Sequence, residues 1–285
     1  MRLVSDPGEM RALAGEARGA SRRIAFVPTM GFLHEGHVAL LREGRGRGDL
    51  LVLSIFVNPK QFAPNEDLAC YPRDLEGDLD KARAAGVDVA FVPEPSAVYP
   101  AGFQTFVEVR DLQQPLCGAR RPGHFAGVAT VVLKLFHIVR PHLAVFGEKD
   151  WQQLQVVRRM VRDLEADVEI VGVPTVREAD GLAMSSRNAT LSPEDRARAV
   201  AIPRGLETAQ ALFAAGEHAA SRLVEAAVRP LHAAGLRVDY LELRDAETLE
   251  EVTHADRPVV IAVAAFVGST RLIDNVVLRP PATAK

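Results

Sequence analysis

Up to about Pro174 the chain alternates between two patterns. Largely apolar runs, Ile24 to Val27, Leu50 to Val57, Val87 to Val92, Leu143 to Phe146 and Glu169 to Val173, read as strands buried on both faces. Between them Gly36 to Arg45, Leu75 to Ala85, Ala126 to Val139 and Trp151 to Leu164 carry helical periodicity and fit crossover helices. The alternation predicts an α/β fold, a Rossmann-like doubly wound parallel sheet over residues 1–175.

Beyond Pro174 the pattern changes. Arg177 to Asn188 is polar, contains Gly181 and has no apolar period, so it reads as a loop. Ser192-Pro193-Glu194-Asp195 supplies an N-cap, a proline at the first helical position and an early acid, opening a helix that runs to Gly216. A second helix ends near Gly235. Strands follow at Val238 to Leu243, Val259 to Val267 and Arg271 to Leu278, the last two joined by a Gly268-Ser269-Thr270 turn. Residues 176–285 are thus predicted to form a smaller C-terminal α+β lid domain, helices on an antiparallel sheet.

Composition narrows the functional classes. The 285 residues, 48% hydrophobic and 25% charged, suit two ordinary domains and no fibrous or disordered chain. A net charge of −3 leaves no general cationic field, so nucleic acid is not an expected partner and any anion must be held by local donors. The first ten residues lack the apolar core of a secretion signal, and Pro258 to Val267 is too short to cross a membrane. Cys70 and Cys117 lie far apart and outside any Cys-x-x-Cys pattern. The expectation is a reduced, cytoplasmic protein with no membrane attachment.

Chemistry concentrates where strands end. The first predicted strand runs into Pro28-Thr29-Met30-Gly31-Phe32-Leu33-His34-Glu35-Gly36-His37, which places two imidazoles three residues apart on one face of a helix start. Unpaired backbone N–H groups and the positive end of the helix dipole favour an anion there. H-x-G-H should arise by chance roughly 0.02 times in a chain of this composition. Its readings are a triphosphate cradle, an ordinary polar helix cap, or a zinc pair, for which no third ligand has familiar spacing. Gly147-Glu148-Lys149-Asp150 follows another strand, and Lys149 could neutralise phosphate, although a solvated turn capped by Asp150 gives the same letters. Met184-Ser185-Ser186-Arg187-Asn188 fits either an anion clamp or a linker, and Asn58 and Gln61 present amides suited to a hydroxylated substrate. His137 and His142, flanked by apolar residues, read as structural.

Taken together, P-T-M-G-x-L-H-x-G-H at 28–37, F-V-N-P-x-Q-F at 56–62, Y-P-R at 71–73, R-P-G-H-F-x-G-V at 121–128, G-E-K-D at 147–150 and M-S-S-R-N at 184–188 resemble the pantothenate synthetase family. The resemblance implies a cytoplasmic homodimer that joins (R)-pantoate to β-alanine with ATP and Mg²⁺ through a pantoyl adenylate, releasing AMP and diphosphate. It implies that Met30, Gly31, Phe32, Leu33, His34, Glu35, Gly36 and His37 hold ATP, with Gly147, Glu148, Lys149, Asp150, Val176, Met184, Ser185, Ser186 and Arg187. It places pantoate on Gln61, Gln153 and Asn58 and β-alanine near Gln61, gives catalytic roles to His37, His34 and Lys149, and makes Asp78 the acid linked to Mg²⁺. A nucleotidylyltransferase and a non-catalytic ATP sensor are the alternatives.

Overall fold

The computed structural model describes residues 1–63, 68 and 71–281, so Cys70 lies outside the described residues. Among them the chain runs β1 (Arg2–Val4), α1 (Pro7–Gly19), β2 (Ile24–Thr29), α2 (Glu35–Arg47), β3 (Leu50–Ile55), α3 (Leu75–Ala84) and β4 (Val89–Phe91). It continues with α4 (Pro95–Val98), α5 (Cys117–Arg120), α6 (His124–Val139), β5 (Leu143–Gly147), α7 (Trp151–Asp163) and β6 (Glu169–Val173). The last part comprises α8 (Pro193–Ala199), α9 (Ala201–Ala214), α10 (Ala220–Ala233), β7 (Arg237–Asp245), β8 (Val259–Val267) and β9 (Thr270–Leu278).

β1 to β6 form one parallel sheet in the order β1-β4-β3-β2-β5-β6. Every residue of β3 is buried, Ser54 among them, as expected for a largely apolar strand covered on both faces. Ala25, Val27, Leu51, Leu53, Ala90, Leu143 and Val145 meet Leu40 and Leu41 of α2 and Leu79 and Ala82 of α3 in one core. From β2 the chain builds outward through β3 and β4 on one side and later through β5 and β6 on the other. The β2–β5 boundary is therefore the switch point, beyond whose carboxyl ends ligands bind in open α/β sheets. β1 and α1 escaped the periodicity argument. β1 has three residues, of which only Val4 is buried, and α1 announces itself through a cap, Asp6 accepting from Glu9 N–H with Pro7 next to it, rather than through a long apolar stripe.

β7, β8 and β9 make the antiparallel sheet, packed on α9 and α10 through Leu206, Ala209, Leu223, Ala227, Ile261 and Val263. Val267 pairs with Thr270, so the turn has two residues, Gly268 and Ser269, with Gly268 at φ 57°. The single helix expected from Pro193 to Gly216 is instead two, α8 and α9, meeting at Val200. Pro203 has no N–H to continue the hydrogen-bond ladder and suits the first turn of a helix, and α9 starts two residues before it. The polar stretch expected as a loop is a tight bracket: Arg177 bridges Ala183, Glu178 N–H donates to the Leu182 carbonyl, and Gly181 turns the chain at φ 90°. Arg177 reaches Asp274 at 2.7 and 3.1 Å, while Arg196 pairs with Glu178 and Asp180.

Two compact units result, one of Met1–Gln114, Gly118–Glu148 and Gln153–Thr175, the other of Pro115–Cys117, Lys149–Gln152 and Val176–Lys285. Among the described residues no helix is long and apolar enough to cross a membrane.

Candidate active site

β2 ends in a loop whose backbone is held from several directions. Thr29 Oγ1 donates to the Ser54 carbonyl and accepts the Gly31 N–H, fixing the turn as it leaves the sheet. Gly31 sits at φ 85° and a Cβ there would lie 2.9 Å from Asp78 Oδ2, so both conformation and space call for glycine. Phe32 follows at φ 53°, and its N–H and that of Leu33 donate to Asp78 at 2.8 and 2.6 Å.

Asp78 is 1% exposed, and burial raises its carboxyl above the ordinary value while the two backbone donors pull it back. In this structure both Asp78 oxygens anchor the loop and the group is shielded from solvent. Among the described residues no cluster of three or more His, Cys, Asp or Glu could hold a metal ion. Among the described residues the groups present do not make up a resident Mg²⁺ site, and no step below runs through one.

His34 is the N-cap of α2, its Nδ1 accepting the Gly36 N–H at 3.1 Å, and His37 Nδ1 accepts the His34 N–H at 3.3 Å. Side chains and backbone thus cap each other with imidazoles in place of the usual hydroxyl and carboxylate. Because a backbone N–H can only donate, Nδ1 is the acceptor in both rings and the proton of each neutral ring lies on Nε2. The two rings lie 4.1 Å apart between centroids. Glu35 is exposed, its carboxylate 4.0 Å from Arg42, so at this position only the backbone suits an anion.

Beside this loop, Asn58 and Gln61 occupy a buried turn. Asn58 Nδ2 donates to Gln61 Oε1 at 2.9 Å and to the Gly127 carbonyl at 3.1 Å, and Gln61 Nε2 lies 3.2 Å from Met30 Sδ. Tyr99 O–H donates to Asn58 Oδ1 at 2.8 Å. His124 Nδ1 meets the Gln61 carbonyl at 2.9 Å and Arg121 lies 3.2 Å from His124 Nε2, the pattern of a ring donating through Nδ1 and accepting through Nε2. A Cβ on Gly127 would collide with the Lys60 carbonyl, so α6 packs directly on the turn's backbone. Tyr99, Arg121, His124 and Gly127 are the supports that sequence reasoning left without roles. The last three lie in R-P-G-H-F-x-G-V, which was the available signal; Tyr99 had none. Gln153, on α7, is partly buried and makes no hydrogen bond among the described residues.

In the second unit, Lys149 is partly buried and its ammonium forms no ion pair among the described residues, while Asn275 Nδ2 donates to its carbonyl at 2.8 Å. Ser185 caps the turn Ser186–Thr190 by accepting the Arg187 N–H, and Arg187 is exposed with no ion pair among the described residues. Met184 N–H donates to the Val176 carbonyl, and Asp150 is exposed. His142 is structural as expected, its Nδ1 accepting the Ile24 N–H at 2.9 Å. Cys117 is buried and free.

A doubly wound parallel sheet carrying two imidazoles on a helix start at its switch point defines an α/β protein with a candidate anion site. A family model described as pantoate-beta-alanine ligase matches residues 2–277, and the chain belongs to that family. It is a ligase that forms the amide bond of pantothenate from pantoate and β-alanine at the expense of ATP. Pantothenate synthetase of Syntrophobacter fumaroxidans is 56% identical over 99% of this chain and 100% of its own, and that of Myxococcus xanthus is 59% identical over 92% and 90%. Pantothenate synthetase from Thermus thermophilus superposes with a TM-score of 0.91 at 47% identity, covering 97% of this chain and 99% of that one. A pantoate-beta-alanine ligase from Francisella tularensis, complexed with beta-gamma ATP and beta-alanine, does so at 0.80 and 31% identity, covering 97% of each chain.

Proposed function

We propose that the amide bond is made in two steps, with the triphosphate seated at the start of α2. A carboxylate of pantoate, ionised near neutral pH, needs no general base to attack the α-phosphorus. It needs repulsion between two anions to be offset. The observation that carries this reading is the paired imidazole cap: with Nδ1 of His34 and of His37 tied to backbone N–H, each ring carries its N–H donor on Nε2 at a helix N-terminus. The backbone from Met30 to Gly36, with Gly147 and Glu148, forms the rest of this half of the nucleotide site. Lys149, Asp150, Val176, Met184, Ser185, Ser186 and Arg187 also bind nucleotide, Lys149 and Arg187 through their cationic groups.

In the first step the carboxylate oxygen bonds to the α-phosphorus, the bond to the bridging oxygen breaks, and pyrophosphate leaves as His34, His37 and Lys149 stabilise its growing charge. In the second, the neutral amine of β-alanine attacks the acyl carbon, loses a proton and displaces AMP. Gln61, Asn58 and Gln153 hold pantoate, and Gln61 serves β-alanine as well. Mg²⁺ enters with the triphosphate, as part of the substrate. The protein acts as a cytoplasmic homodimer, which sedimentation tests for the assembly. For the chemistry, pantoate carrying ¹⁸O in its carboxylate should deliver one ¹⁸O to AMP. Unlabelled AMP beside labelled pantothenate would exclude attack by that carboxylate.

A further inference from the structure

We propose that Tyr99 is a positioning residue for pantoate: through Asn58 its hydroxyl fixes the side-chain amide of Gln61 so that Gln61 meets the substrate as a hydrogen-bond donor. The inference rests on the reading of Gln61 as a pantoate ligand and adds to it the polarity of that contact and the residue that imposes it.

The argument follows from groups whose polarity is not negotiable. The Lys60 backbone N–H can only donate, and it lies 3.2 Å from one side-chain atom of Asn58, which must be the oxygen. The Gly127 carbonyl can only accept, and it lies 3.1 Å from the other, which must be the nitrogen. With its orientation set by two backbone groups, Asn58 points an N–H at Gln61 2.9 Å away, so the nearer Gln61 atom is Oε1 and its Nε2 faces the other way, toward Met30 Sδ. Met30 belongs to the loop that leads into α2. With one N–H directed at Met30 Sδ, Gln61 offers its other N–H, which suits a carboxylate or hydroxyl oxygen of a hydroxy acid and would oppose an ammonium.

Tyr99 closes the chain. Asn58 Oδ1 is already an acceptor, so the phenol must donate to it, at 2.8 Å. Asn58 is 1% exposed and Gln61 8%, so neither amide can exchange a lost partner for bulk water. Burial holds the phenol protonated far above ordinary pH. The ring itself is fixed by other means, edge-on against Phe103 at 4.9 Å, 6.3 Å from Phe56, and with Lys60 and Lys134 each 5.9 Å from its centroid. A phenylalanine would keep all of these contacts and lose only the hydroxyl.

The experiment is a double-mutant cycle on the full chain, Tyr99→Phe, Gln61→Ala and both, reading steady-state kcat and the KM values for pantoate and ATP, with thermal unfolding alongside. Tyr99→Phe should raise the pantoate KM about tenfold, the scale of one lost buried hydrogen bond, and leave the ATP KM within about twofold. A purely structural hydroxyl would lower stability without separating the two substrates. In the Gln61→Ala background the same change should have less than about a twofold effect, because the group it orients is gone. An unchanged pantoate KM in Tyr99→Phe beside a defective Gln61→Ala overturns the relay alone, as would equal factors in both backgrounds. An ordinary pantoate KM in Gln61→Ala would instead remove the Gln61 assignment, and the relay with it.

Discussion

His37 accepts the backbone N–H of His34 through Nδ1 at 3.3 Å, so the residue three positions into the helix caps the residue that begins it. This one bond sets the tautomer of His37 and makes Nε2–H its donor. Replacement by Ala should lower the rate of adenylate formation by about 10²–10³, the scale of losing one preorganised donor to developing charge. Attack of β-alanine on separately supplied pantoyl adenylate should change much less, since no phosphate chain is cleaved there. Single-turnover rates of the two half-reactions check this. Normal adenylation with failed amide formation would mean that His37 serves the amine.

Gln153→Ala should weaken pantoate by about 1–3 kcal/mol while leaving ATP nearly unaffected, because the partly buried amide has no hydrogen bond among the described residues and is available to a substrate. Titration of each ligand by calorimetry reads it. Equal weakening of both ligands would remove the assignment.

The anchoring role of Asp78 has a pH signature. Burial raises its folded-state pKa, so the folded protein holds this proton more tightly than the unfolded chain does. Its contribution to stability is therefore greatest below the unfolded carboxyl value and declines as pH rises through the folded one. Asp78→Asn removes that decline but turns an amide N–H₂ toward one of two backbone donors, costing about 1–3 kcal/mol at neutral pH. Urea unfolding from acid to neutral pH measures both. A variant with the wild-type slope and stability would show that the carboxylate does not anchor the loop.

The bracket formed by residues 176–184 should resist hydrogen exchange without nucleotide. Arg196 donates to Glu178 and holds its carboxyl below the ordinary value, with Asn188 adding a second bond. A depressed acid stabilises above its unfolded pKa and loses that contribution as pH falls through the folded value, so protection should decay in acid. Arg196→Ala should abolish the protection at neutral pH as well. Rapid exchange in the unliganded wild type, slowed only by ATP, would contradict a bracket that stands without ligand.

How far the sequence could be read depended on which kind of signal each part carried. β8 is apolar along its whole length and β3 at every position but Ser54, and both were legible from their letters, as was the Ser192 cap with its following proline. β1, with one buried residue, gave periodicity nothing to detect. The break at Val200 was missed because the amphipathic stripe continues across it while Pro203 interrupts the backbone hydrogen bonds. For the site, the paired histidines were visible at their spacing, but the anchoring of the loop by Asp78 was not, because only the fold brings it to the N–H groups of Phe32 and Leu33, 46 and 45 residues away. Tyr99 is 41 residues from Asn58, a distance that no local pattern reports.

The two-step reading is tested most directly by exchange of labelled pyrophosphate into ATP. With pantoate present and β-alanine absent the account predicts exchange, because adenylation is reversible and complete before the amine is needed. Omitting pantoate should abolish it. Exchange that requires β-alanine would contradict a separate adenylate and point to a concerted reaction instead.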